Sequence, residues 1–409
     1  GTGNVAIGYL SLDANTTANY NTAVGYNTLS ANVTGASNAA FGYNALAVNT
    51  ASNNTAIGWA SLEANTSGQY NVAVGKGSAS SNTTGEKNVA MGTDALNANT
   101  TGASNVAIGN SALDANTEGG SNVAVGRDSL GSNTTADANT ALGYGSLRDN
   151  TTGSGNVGLG YLALEENTTG GNNTGVGFQA LEENTTGIQN TALGSLALDS
   201  NTTGDLNVAI GYHALGSNVS TGANTAVGGY ALYVNEAANN TAVGYQSLYS
   251  NTSGTSNVAV GREALNQNTS ASNNTGLGYR ANFNTGVGYL ALGANTTGTR
   301  NTAVGTHALD ANTTANDNTV VGYDAATANT TGEKNTVVGT YAFDANTTGS
   351  FNTVVGRAAL SANTTADHNT AIGYQALDIN TTGANNTGVG SGSLDACTTG
   401  SNNTAVGHV

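Results

Sequence analysis

The sequence predicts an all-β protein, a parallel β-solenoid (β-roll) of about 24 seventeen-residue coils. Three observations predict it: a fixed repeat period, an apolar residue before the same glycine in every copy, and asparagines at two fixed places. Counted from that marker glycine (Gly8, Gly25, Gly42 and so on to Gly407), 21 of the 24 intervals are seventeen residues, two are sixteen and one is ten. Charged residues make up 8% and proline is absent, unlike a mixed-core globular domain of this length.

One phrase, Asn240–Gly254, serves for all. It opens with Asn240, four before the glycine, and that place is Asn in all 25 copies. The next residues, Thr241-Ala242-Val243, alternate as a short strand does, with Thr and Val on one face and Ala on the other. The position before glycine is always apolar, so it is expected to face a core; the position two before is small, which implies close backbone approach. Gly244 is a corner where φ > 0 is needed. Tyr245 follows, in a column that also holds Lys76, Arg127, Ser195 and His408, and such a mixture is expected at an exposed place. Leu248 occupies the fourth place after glycine, Leu in 20 of 24 copies, and reads as the second core column. The expected core is therefore Val243, Leu248, Val260 and Leu265. No segment offers enough uninterrupted 3.6-residue periodicity for a helix. The phrase closes with Asn251 and the Asn-Thr-Ser-Gly corner, rich in residues that bond their own backbone.

The two asparagine columns are expected to form amide ladders between coils: Asn4, Asn21, Asn240 and Asn257 in one, Asn15 and Asn251 in the other. Both sixteen-residue intervals shorten the linking corner, and the ten-residue interval from Gly278 to Gly288 omits the Leu-to-Gly half of a coil. The expected organisation is regular repeats over 1–278, a short irregular coil with a kink or bulge over 279–288, and regular repeats over 289–409. Two large apolar side chains per coil offset little of the entropy lost in ordering seventeen residues, so association around a common axis is expected. Stacked at about 4.8 Å per rung, the coils would form a rod on the order of 115 Å long.

"NVAIGYLSL", "NTAVGYQSL" and "NVAVGREAL" resemble the head repeats of YadA-like trimeric autotransporter adhesins. "GYxALxxNTTGxxNTAVG" is similar to repeats of bacterial surface proteins and phage tail-fibre-like proteins. The resemblance covers essentially the whole chain, although the period is longer than the adhesin head's, and no stalk, anchor or chaperone domain lies in this segment. It implies a homotrimer of β-rolls, with the small column (Ala6, Ala23, Ala242, Ala303) or the apolar column beside it lining the three-fold contact. It also implies an extracellular setting: a bacterial cell surface, a secreted filament or a phage tail fibre.

The function this supports is a structural and adhesive shaft or head of an extracellular fibre, a rigid spacer whose exposed Tyr, Thr and acidic columns meet a glycan or surface receptor. The first alternative is a self-assembling filament or matrix subunit; the chain starts and stops inside the repeated phrase, which reads as an excerpt or processed part of something longer. The second is ice binding by stacked threonines such as Thr16, Thr83, Thr100, Thr151, Thr168 and Thr185, a column interrupted by Val33, Val219 and Glu236.

Twenty-five acidic against nine basic residues, a formal charge of −16, disfavour nucleic acid and anionic membrane as partners. No apolar run approaches the roughly 18 residues of a membrane helix, so no membrane insertion is expected in this segment. Cys397 is the single cysteine, which excludes an internal disulfide. His213, His307, His368 and His408 do not fall at one place on a coil, so neither catalysis nor zinc is expected and no cofactor is called for. Glu165 and Glu182, with Glu166 and Glu183 beside them on adjacent coils, are candidates for weak Ca²⁺ attraction, against the plainer reading of a solvated acidic face. Nineteen of the corner asparagines, including Asn15, Asn32, Asn65 and Asn251, form N-x-S/T sequons.

Overall fold

The computed structural model describes residues 1–279 and 284–408. Among them are twenty-five strands of three residues each and no helix. The chain forms a parallel β-solenoid in two compact units, Gly1–Thr221 and Gly222–Val409. The first unit carries β1 (Val5–Ile7) through β13 (Val208–Ile210), and the second carries β14 (Thr225–Val227) through β25 (Thr404–Val406). Within each unit every strand pairs in parallel with the next at the same place in the repeat. Val5, Ala6 and Ile7 thus face Thr22, Ala23 and Val24, and Thr387, Gly388 and Val389 face Thr404, Ala405 and Val406. Identical places therefore stack into columns, which is why the repeat must keep its length.

Three columns fill the interior. The residue two before glycine is buried, as Ala242 and Ala259 are; so is the residue three after it, as Ala264 and Ser247 are, and so are Leu248 and Leu265. Val243 and Val260, expected in the core, lie instead on the outer face of β15 (Thr241–Val243) and β16 (Val258–Val260), 36% and 39% exposed. The alternation was read with its two faces exchanged. Each layer is already filled by two small residues and one leucine, and a strand's next side chain must point the other way. Where Ala326 replaces the leucine, buried Val320 and Val337 stand in the small column and Phe343 in the next leucine place, which restores lost volume.

The turns explain two further features of the sequence. Gly244 has φ 131, and a Cβ there would lie 2.5 Å from the carbonyl oxygen of Gly261 in the next coil, so glycine is required twice over. The leucine column is left-handed, with φ 48 at Leu248 and 50 at Leu265, as are the second place after glycine (Gln246, φ 53) and the place before the first asparagine (Asn239, φ 63). β-Branched side chains are strongly disfavoured in that region. Apart from the last residue, Val409, none occurs at these three places in the chain, whereas Val and Ile are free to occupy the outward column.

Residues 280–283, within the expected kink, lie outside the described residues. On either side of them β17 (Thr275–Leu277) and β18 (Thr285–Val287) still pair in register, Gly276 with Gly286. The interval thus shortens the coil without shifting its strands.

Candidate functional site

The two asparagine columns are built differently. In the first, the backbone N–H of each residue donates to the side-chain oxygen of its predecessor: Asn21 to Asn4 at 2.9 Å and Asn257 to Asn240 at 3.0 Å. Its side-chain nitrogen crosses to the next coil's corner carbonyl, Asn240 Nδ2 to Gly254 O at 2.9 Å. In the second column the side chains bond one another, Asn251 Nδ2 donating to Asn235 Oδ1 at 3.0 Å and to Gly254 O at 2.8 Å. Asn15 keeps only a 3.4 Å bond to Ala18 O, and its buried Oδ1 has no partner. Most sequon asparagines belong to this second column. Asn32, Asn65 and Asn251 are fully buried and donate inward, so the folded corner withholds the nitrogen a glycan would need.

The threonine column is also committed internally. Thr83 Oγ1 donates to Thr100 O at 2.9 Å, and Thr151 and Thr168 do the same to the next coil at 3.0 and 2.9 Å. Each of these hydroxyl hydrogens is thus directed along the stack rather than outward.

The acidic candidates do not gather. Glu165 is buried and ion-paired with Arg148, Glu182 accepts from Gln179 Nε2 at 2.7 Å, and Glu166 and Glu183 are exposed. Among the described residues no three His, Cys, Asp or Glu side chains form a group that could hold a metal ion. Burial nevertheless raises several acids of this column. Glu165 goes up because desolvation outweighs the pull of Arg148, and Asp199 is pushed up to about 6 by burial, reinforced by the Glu183 and Glu182 carboxylates. The histidines are dispersed: His307 Nδ1 lies 3.0 Å from Asp324, and His368 stacks on Phe351 with centroids 4.9 Å apart.

Two outward surfaces remain. One is the strand face, where the residues one and three before glycine stand in parallel columns that contain no charged residue anywhere in the chain. Ile7, Phe41, Met91, Leu142, Val243 and Val355 all expose more than a third of their surface there. The second is the column after glycine. Tyr9, Tyr26, Tyr43 and Trp59 stack with centroids 5.5, 5.1 and 6.3 Å apart, and Tyr144, Tyr161 and Phe178 stack at 5.4 Å. Their faces are turned on one another, so within a run they offer edges and hydroxyls to a ligand.

The sequence reading missed the outward strand face. Its signal was present: a core column in a solenoid must be uniform, and this one varies freely among Val, Ile, Leu, Met and Phe. No helix among the described residues is long and apolar enough to cross a membrane. Comparison with protein-family models and with curated protein sequences found no match to this chain.

Proposed function

We propose that the protein is a structural and adhesive shaft or head of an extracellular fibre, built by side-by-side association of copies through the outward strand face. The observation that carries the reading is the uncharged face with its exposed apolar column, repeated coil after coil within each unit. A face of this extent is unusual on a solitary protein, and its burial stabilises an assembly at about 25 cal/mol per Å². On a chain of charge −16, association must avoid the acidic columns, and this face does. Three copies about one axis is the arrangement implied by the YadA-like resemblance. The Tyr and acidic columns would then face outward as the attachment surface.

Light scattering measures the mass directly. A discrete mass near three times 40.3 kDa supports the reading. A monomer at micromolar concentration overturns it, and an open-ended mass distribution with filaments in electron micrographs replaces it with a self-assembling matrix subunit.

A further inference from the structure

In the column after the marker glycine, several ring faces at the ends of aromatic runs are covered by a cation of the adjacent coil. Lys76 lies 5.6 Å over Trp59, Arg127 lies 5.8 Å over Tyr144, and Arg357 lies 5.8 Å over Tyr374. Arg262 sits between two rings, 5.8 Å from Tyr245 and 5.9 Å from Tyr279. Two of these arginines are anchored by the acid that follows them, Arg127 by Asp128 and Arg262 by Glu263, each at 3.1 Å.

Where the column instead holds threonine, the next side chain swings over the ring. His307, after Thr306, meets Tyr289 at 5.6 Å, and Tyr341, after Thr340, meets Tyr323 at 5.6 Å. Ser391 and Gly392 do neither, since they bring less side chain to these two places than any other coil's pair. A groove of about 550 Å³ opens there, between Tyr374 on one coil and His408 two coils on. Asp378 and Asp395 stand along its flank and no Lys or Arg lines it. Asp378 accepts from Ser361 Oγ at 2.5 Å and Gln375 Nε2 at 3.3 Å, while the exposed Asp395 carboxylate has no partner among the described residues.

We propose that this groove binds a flat organic cation, the guanidinium of an arginine side chain presented by a partner, stacked on the free face of Tyr374 and held by Asp395 and Asp378. The chain supplies its own precedent: Tyr245–Arg262–Tyr279 with Glu263 alongside is the same arrangement with the cation built in. A ring face attracts a cation through its quadrupole, and a carboxylate pairs with the guanidinium fork. A neutral sugar would leave both carboxylates without a counter-charge.

The probe is N-acetyl-arginine amide, titrated into the full chain by equilibrium dialysis. Saturable binding of one equivalent per chain is expected. Ser391→Tyr, which places the column's commonest residue in the gap without altering charge, is expected to abolish it. Asp395→Asn is expected to weaken it by roughly tenfold, and Asp13→Asn, which removes an equal charge elsewhere, to leave it unchanged. Unaltered binding to Ser391→Tyr, or equal losses from both aspartate variants, would show non-specific attraction to an acidic chain and overturn the proposal. So would saturable binding of methyl glucoside in place of the arginine probe.

Discussion

The two units are made from one phrase, yet their asparagine ladders differ. In the first unit the second column runs unbroken from Asn49 through Asn133 to Asn218, each side-chain nitrogen donating to the previous oxygen at 2.6–3.1 Å. In the second it survives in pieces: Asn235–Asn251–Asn268, Asn295–Asn312 and Asn329–Asn346–Asn363. Asn268, Asn312 and Asn363 each end a piece with a buried, unpartnered oxygen, and Asn380, which stands alone with its side chain on Gly383 O, has one too. Three of the four breaks coincide with departures from the phrase: the ten-residue interval after Asn268, the coil of Ala326 after Asn312, and Cys397 after Asn380. Nothing in the structure explains the break at Asn363. The ladder thus depends on register and corner chemistry more than on the presence of asparagine.

The outward faces differ too. Beside the apolar column, the first unit has Val at seven strands, among them Val72, Val89, Val106 and Val123, whereas the second has Thr at every strand except β16, with Val258. Both faces are uncharged, and the first is the more apolar.

The largest expected effect separates inside from outside. Leu181→Ala should destabilise the first unit by about 2–5 kcal/mol in chemical unfolding, because a packed layer cannot close over the space. Val176→Thr on the outer face of the same coil should cost less than 1 kcal/mol in a dilute sample. Equal costs would return the outward column to the core.

A smaller effect distinguishes the ladders. Asn133→Ala, in the unbroken run, leaves neighbours on both sides unpaired and should cost about 1–3 kcal/mol. Asn363→Ala, at a break, should cost less, and the difference is readable from denaturation midpoints. Cys397→Asn should add about 1 kcal/mol to the second unit by giving Asn380 a donor; no gain would mean that the thiol is not what stops the ladder.

The pH dependence is the least of these. Asp199 is raised from its ordinary 3.8 to about 6, so its charged form opposes folding. That opposition is full above about pH 6 and is relieved as pH falls toward 4, so the melting temperature should rise over that window. Asp199→Asn should remove part of the rise, whereas a melting temperature that falls steadily below pH 6 would contradict the assignment.

Much of this was legible in the residues. The spacing gave period and register, and the invariance of Asn240 marked a place where side chain and backbone both bond. Alternation along Thr241-Ala242-Val243 identified two faces without saying which was inner. Hydrophobicity pointed at Val243, but uniformity pointed at Ala242, and uniformity is what stacking demands. The left-handed turns were written in the absence of Val, Ile and Thr from three columns up to the last residue, Val409, a signal visible only once the φ angles are known. The open ring face at Tyr374 depends on two neighbouring places being small together, which no single column displays.

The column before glycine faces outward, and the proposed association runs through it. Sedimentation equilibrium on a chain with Ile108→Asp and Val125→Asp tests it most directly, with circular dichroism on the same sample. Loss of the associated mass with the β signal intact is expected. An unchanged mass, or collapse of the β signal, would contradict it.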